Sequence, residues 1–218
     1  NHLSAKAIHQ SFGEVGGDYY DLIQTSENEY YFCIADISGK GISAALLMSN
    51  FQATFRATVN QGIPLVKLLN LLNKSVIESS RGDRFITFFV GKYDCINKEL
   101  EYVNCAHPSA FLFNDKRVYE LKSCIPGLGM LDVLPPFETQ SITLSTNSIL
   151  TCYTDGVNEL ENEHGECFGV NRIKESLKSF DKVELDGLIE HVTNDLQTFA
   201  QHSKVTDDIA ALTILFKV

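Results

Sequence analysis

The stretch EYYFCIADISGKGISAALL, residues 29–47, runs from an aromatic and branched apolar segment through one carboxylate and a Gly-Lys-Gly turn into small apolar residues. Residues 29–36 have the composition of a buried strand, whereas Ile42 to Val59 repeats its apolar positions at helical spacing without a proline. Asp36 therefore stands where a strand ends and a helix is about to begin. A turn or a cap explains such a residue, because Asp and the nearby Ser38 both bond readily to main-chain N–H groups. Whether Asp36 does more depends on whether other carboxylates occupy equivalent places.

Upstream, Gly16-Gly17 precedes DYYDLIQT, which the polar turn SENE joins to EYYFCIAD, predicting a hairpin. Downstream, helices are predicted over 42–60 and, from Pro64, to 79; the second carries Leu65, Leu68, Leu69, Leu72 and Val76 on one face, a core stripe and not a cofactor site. The first is apolar over most of its circumference, which predicts deep burial. FITFFVGKYD, ELEYVNCA, SAFLFN and RVYELK predict strands in series, an antiparallel meander broken by Asn-Lys, His-Pro and Asn-Asp turns. FETQSITL and SILTCYTD add further strands, helices are predicted over 170–179 and 185–201, and DDIAALTILFKV closes the chain as a strand. Strands grouped apart from helices predict an α+β fold, an α-β-β-α sandwich of two mainly antiparallel sheets flanked by helices.

A chain of 218 residues with 44% hydrophobic content suits one domain over 1–218, with a core that needs no disulfide or metal staple. The net charge of −10, with Lys and Arg scattered, argues against a nucleic-acid partner. No run approaches the roughly 18 apolar residues of a membrane span, and NHLSAKAIHQ lacks the basic start and apolar core of a signal peptide. No membrane contact and a cytoplasmic location are expected. Six cysteines, at 33, 95, 105, 124, 152 and 167, never form a CxxC pair and read as small buried hydrophobes in a reducing compartment. A chain that opens on Asn1 and not Met is expected to be part of a longer protein.

Four aspartates share the position of Asp36 at a strand edge beside a glycine or a second aspartate: Asp18 in GGDYYD, Asp36 itself, Asp155 in CYTDGVNE and Asp207 in TDDIAALTILF. A turn accounts for any one of them. Together they suit sheets that converge on hard divalent cations such as Mg²⁺ or Mn²⁺, which prefer oxygen ligands and need few carboxylates because they keep waters. Adjacent glycines let carbonyl and phosphate oxygens approach closely. Other phosphate chemistries lack their residues: Ile34 and Gly41 break the P-loop pattern around Lys40, no cysteine has an arginine six positions on, and no DxDx(T/V) occurs. His107, before Pro108, reads as a hydrogen-bonded turn residue, Thr87 and Tyr153 as packing residues, and Glu159 as part of a solvated face.

In order along the chain, GGDYYD (16–21), ADISGKGISAAL (35–46), TFFVGKYD (87–94), NCAHP (104–108), YTDGVNE (153–159) and DDIA (207–210) resemble the motifs of the PPM-type, protein phosphatase 2C-like metal-dependent serine/threonine phosphatases. The likeness is greatest to the bacterial branch typified by the stage II sporulation E and sigma-B regulator phosphatases. The resemblance implies a PPM-type phosphatase domain forming the C-terminal part of a longer regulatory protein with an upstream sensor domain. It implies two Mn²⁺ or Mg²⁺ ions held by Asp18, Asp36, the main-chain carbonyl of Ile37, Asp155 and Asp207, with Asp36 and Asp155 catalytic and Asp208 the less favoured of its pair. The activity implied is hydrolysis of phosphoserine or phosphothreonine by direct attack of a metal-activated water, on a phosphorylated STAS-type anti-sigma-factor antagonist in a partner-switching pathway.

Lys40 replaces a commoner His, Cys105-Ala106 an Ala-Gly and Ala210 a Thr, and Ser38 stands where eukaryotic members have a histidine proposed as an acid. The resemblance also makes the helices at 42–60 and 64–79 a regulatory element under the upstream segment, often through a homodimer, with Gln52 and Arg56 on its exposed face. Two rival readings are a catalytically weak phosphatase-like signalling or binding module and a two-metal phosphodiesterase, the latter disfavoured for nucleic acid by the acidic surface.

Overall fold

Tyr31, Cys33, Ala35 and Ile37 face one way along their strand, Phe32 and Ile34 face the other, and all six are buried. Side chains alternate across a strand, so both faces of this one must be covered. The structure, a computed structural model, describes residues 2–115, 117–179, 185–201, 203 and 207–217. Its elements are β1 (Leu3–Gln10), β2 (Tyr19–Ser26), β3 (Glu29–Ile37), α1 (Ile42–Val59), α2 (Leu65–Ser80), β4 (Ile86–Asp94), β5 (Glu99–Cys105), β6 (Ala110–Asn114), β7 (Arg117–Leu121), β8 (Gln140–Thr143), β9 (Ser148–Tyr153), α3 (Asp155–Asn158), α4 (Gly169–Ser179), α5 (Leu185–Ala200) and β10 (Ile209–Phe216).

The strands form two five-stranded sheets, one ordered β2-β3-β4-β5-β8 and the other β1-β10-β9-β6-β7, with antiparallel pairing throughout. Phe32, Ile34 and Phe89 of the first sheet meet Leu150, Leu212 and Phe216 of the second in the layer between them. The outer face of the first sheet packs Cys33, Phe88 and Val90 against Phe51 and Phe55 of α1 and Leu68 and Leu72 of α2. The outer face of the second packs Phe111, Tyr153 and Ala211 against Ile173 of α4 and Leu188 and Val192 of α5. The expected α-β-β-α sandwich is the observed one. Among the described residues no helix is long and apolar enough to cross a membrane.

Several expectations are corrected. The meander is split: β4 and β5 pair in one sheet, β6 and β7 in the other, because β5 turns its free edge to β8 and β6 to β9. The chain changes sheets at His107-Pro108. β1, which the sequence reading left without an element, lies at a sheet edge paired along its length with β10. Helix α1 is not buried around its circumference: Ala44, Leu47, Phe51, Phe55 and Val59 face the sheet, while Ile42 and Leu46 are 74% and 67% exposed. Of the six cysteines, Cys33, Cys105 and Cys152 are buried, but Cys124 and Cys167 lie on the surface.

Phe51 meets Phe88 edge-on at 5.0 Å between ring centroids and stacks on Phe55. Phe51→Ala should therefore destabilise the protein by about 3–5 kcal/mol. Leu46→Ala, five residues earlier in α1 but exposed, should stay within about 0.5 kcal/mol. Urea denaturation, comparing midpoints at constant slope, measures both.

Candidate metal centre

Strand register brings the aspartates together. Asp36, opposite Thr87 of β4, lies on the same face of β3 as Phe32 and Ile34 and so turns toward the second sheet at the strand's end. Asp18 immediately precedes β2, whose Tyr19 pairs with Ala35, so it enters the same end. In the second sheet Tyr153 pairs with Ala211, which puts the exit of β9, carrying Asp155, beside the entry of β10, carrying Asp207.

Thr154 joins the two sheet ends. Its hydroxyl accepts the Ala210 N–H at 3.0 Å and donates to Asp18 Oδ2 at 2.7 Å, while its own N–H donates to the Ala210 carbonyl. Asp208 accepts the Gly17 N–H at 2.8 Å and the Phe12 N–H at 2.7 Å, binding the second sheet to the β1–β2 connection. Backbones approach closely here: a Cβ on Gly156 would lie 1.9 Å from the Asp208 carbonyl oxygen, and one on Gly17 would lie 3.1 Å from that of Ile37.

The carboxylates act on one another. Burial, reinforced by Asp36, Asp208 and Asp155 and opposed by the Thr154 hydrogen bond, pushes Asp18 up to about 8. Asp36 rises to about 7 through burial and then Asp155, Asp207 and Asp208, with the Lys40 ammonium opposing. Asp155 is raised by burial and by Asp207. Glu159, expected on a solvated face, is exposed, yet it too is raised by what burial it has and by Asp155 and Asp207.

The donor set is all oxygen and strongly anionic, the chemistry of a hard divalent cation and not of zinc. Among the described residues no three His, Cys, Asp or Glu side chains are placed to grip one ion together. The hydrogen bonds explain the spread: Asp18 is held by Thr154, Asp208 by main-chain N–H groups, and Asp207 Oδ2 by Lys40 Nζ at 2.9 Å. An octahedral ion that keeps most of its waters needs only one or two direct carboxylates. The residues present therefore fit Mg²⁺ or Mn²⁺.

Supporting contacts that only the fold reveals surround the aspartates. Arg84 reaches from the α2–β4 connection to the Ser38 carbonyl and the Ser43 hydroxyl, clamping the turn that follows Asp36. The Ser38 hydroxyl accepts the Phe85 N–H. Arg56, expected on an exposed face, grips Asp21 of β2 through two bonds of 2.6 and 2.9 Å, with the Tyr19 hydroxyl on the same carboxylate. Burial works to raise Asp21, but these bonds outweigh it and hold the group low. Thr154 sits inside a quoted motif, but only the pairing of distant strands reveals its role. His107, 3% exposed, bonds Thr87 Oγ1 through Nδ1 and donates its main-chain N–H to Asn104; burial pushes its imidazole down to about 3.

A family model described as stage II sporulation protein E (SpoIIE) matches residues 26–217. Phosphoserine phosphatase RsbP of Bacillus subtilis (strain 168) is 29% identical over 156 residues, covering 69% of this chain and 38% of that protein. Phosphoserine phosphatase RsbU of the same strain is 28% identical over 167 residues, 75% of this chain and 49% of that one. The PP2C phosphatase domain of SpoIIE from Bacillus subtilis, solved with a fragment of its regulatory domain, superposes with a TM-score of 0.82 at 15% identity over 99% of this chain and 64% of that one. RsbX in complex with magnesium superposes with a TM-score of 0.74 at 15% identity over 99% and 96%. At such identities the structures speak for the fold alone. The chain spans less than half the length of the curated relatives it matches.

The buried groups tie stability to pH with opposite signs. Asp18 and Asp36 have folded values of about 8 and about 7 against an ordinary 3.8, so between these limits the folded state holds more protons and stability is lost as pH rises. His107, at about 3 against 6.5, binds protons more readily unfolded, so its contribution is lost as pH falls from 6.5 toward 3. Denaturant titrations in chelator should show Asp36→Asn reducing the loss of stability as pH rises from about 4 to about 7, and His107→Gln reducing the loss as pH falls from about 6.5 to about 3.

Proposed function

Because the chain belongs to the stage II sporulation protein E family, whose solved domain has the PP2C phosphatase fold, we propose that it is a Mg²⁺- or Mn²⁺-dependent phosphoprotein phosphatase acting on phosphoserine or phosphothreonine. The observation that carries this reading is the convergence of Asp18, Asp36, Asp155 and Asp207 at one end of the sandwich, where burial and mutual repulsion raise Asp18, Asp36 and Asp155. A buried group of like charges is costly unless cations compensate it. The buried thiols are poor alternatives as nucleophiles, since burial holds Cys105 and Cys152 protonated.

Two ions held by the four aspartates and the Ile37 carbonyl would supply Lewis-acid charge that activates water and offsets the charge of the phosphate in the transition state. Asp36, at the end of β3, and Asp155, at the start of α3, would hold the ions from the two sheets. Thr154 fixes the Asp18 carboxylate so that one oxygen keeps a defined orientation. His107 braces the floor by bonding Thr87, the register partner of Asp36.

The substrate we propose is a phosphorylated STAS-type regulatory protein, an anti-sigma-factor antagonist; RsbP and RsbU, both phosphoserine phosphatases, support the phosphoserine part of this reading. The domain is read as one part of a longer cytoplasmic regulatory protein whose upstream sensor acts on α1 through a homodimer. Arg56 gives that control a physical route, since it links α1 to Asp21, three residues beyond Asp18.

Hydrolysis of a phosphoserine protein should require added Mn²⁺ or Mg²⁺ and vanish in chelator. Asp36→Asn should cost more than the roughly 10–100-fold typical of losing an outer-shell partner. Release of phosphate, followed alongside loss of mass from the phosphoprotein, measures both. Full activity in excess chelator, or cleavage of phosphotyrosine peptides in preference to phosphoserine proteins, would overturn the assignment.

A further inference from the structure

Lys40 is the central residue of Gly39-Lys40-Gly41, and its ammonium lies 2.9 Å from Asp207 Oδ2. The loop is built to aim it there. Gly39 and Gly41 have φ of 90° and 74°, a left-handed region that favours glycine, so the chain turns sharply on both sides of the lysine. The main chain is then pinned: Arg84 bonds the Ser38 carbonyl before the turn and the Ser43 hydroxyl after it, and a Cβ on Gly39 would overlap the Arg84 guanidinium. With its backbone clamped, the Lys40 side chain reaches out from a fixed anchor.

The ammonium occupies the oxygen through which Asp207 would take a cation. We propose that Lys40 is an internal counter-ion for the Asp207 side of the centre, which a divalent cation must displace before it can bind there. This rests on the metal-dependent reading above. The side chain is half exposed, so its ion pair with Asp207 is weak enough to exchange. It also has somewhere to go: a cavity of about 380 Å³, lined by Phe12, Val15, Lys40, Ile42 and Asp208, opens beside it, and the Phe12 ring centroid is already 5.1 Å from Nζ. There the methylene stem can lie on apolar walls while the ammonium stays over an aromatic face. The two halves of the centre thus bind cations unequally, the Asp207 side being the weaker because it starts with the Lys40 ammonium in place.

The test is Mn²⁺ binding by the metal-free protein, read as free Mn²⁺ by electron paramagnetic resonance and as heat by calorimetry. Wild type should bind in two phases. K40Q should tighten the weaker phase about tenfold, the scale of removing one partly screened charge, and should lower the melting temperature of the metal-free form more than that of the Mn²⁺-saturated form. K40R, which keeps the charge and the reach, should titrate like wild type and shows that tightening does not come from any change at this position. Two phases in wild type with unchanged or weaker affinity in K40Q would overturn the counter-ion role and leave the metal-dependent reading standing. No Mn²⁺ binding by wild type or either variant would overturn both.

Discussion

The Thr154 hydroxyl accepts a hydrogen bond from the Ala210 N–H and donates one to Asp18, and in doing so joins two sheets at the end where their carboxylates collect. That end carries the strongest internal conflict in the molecule. Burial first and neighbouring carboxylates second push Asp18 and Asp36 well up and raise Asp155. Everything nearby moderates the conflict: main-chain N–H groups satisfy Asp208, Lys40 partly neutralises Asp207, and Thr154 fixes Asp18. The remaining cost falls on the carboxylates themselves, so any cation bound there would add its binding free energy to folding stability through the same oxygens.

Residues 29–37 show how much of this was legible. The two-residue alternation of aromatic and branched side chains specifies a strand buried on both faces, and that alone requires layers on either side. The positions of the four aspartates at strand ends were equally readable. What the residues themselves did not contain was their convergence, which depends on β9 lying beside β10 and on the two sheets facing each other. The same non-locality hid Arg84 and the partnership of Arg56 with Asp21, since a surface-spaced arginine on a helix looks the same whether or not a buried carboxylate waits for it. The misreading of α1 has a different origin. Ile42 and Leu46 add to the apolar count but fall on the wrong side of the helix, and phase, not composition, decides burial.

The Asp21 cluster shows how the helical layer is tied to the site. Asp21 is buried on the face of β2 toward α1, where a bare carboxylate would be costly, and the Arg56 fork and the Tyr19 hydroxyl both bind it. A bidentate guanidinium pair is directional as well as strong. It therefore prescribes where α1 sits along β2 more sharply than the apolar contacts of Phe51 and Phe55, which tolerate sliding.

The order of strands in the second sheet bears on how the molecule assembles. Its last strand in sequence, β10, lies second in the sheet, between β9 at the centre and β1, the first strand, at the edge. The first sheet draws β2 to β5 from one continuous stretch and lacks only β8, so most of it can form from near neighbours in the chain. The second cannot close until residues more than 200 positions apart, such as Leu3 and Phe216, have met. Loop closure on that scale is slow relative to local pairing. The edge strand β1 should therefore join the second sheet late, and with it the β1–β2 connection whose Phe12 and Gly17 N–H groups bond Asp208: the β2 side of the aspartate cluster would be seated on the second sheet among the final events of folding.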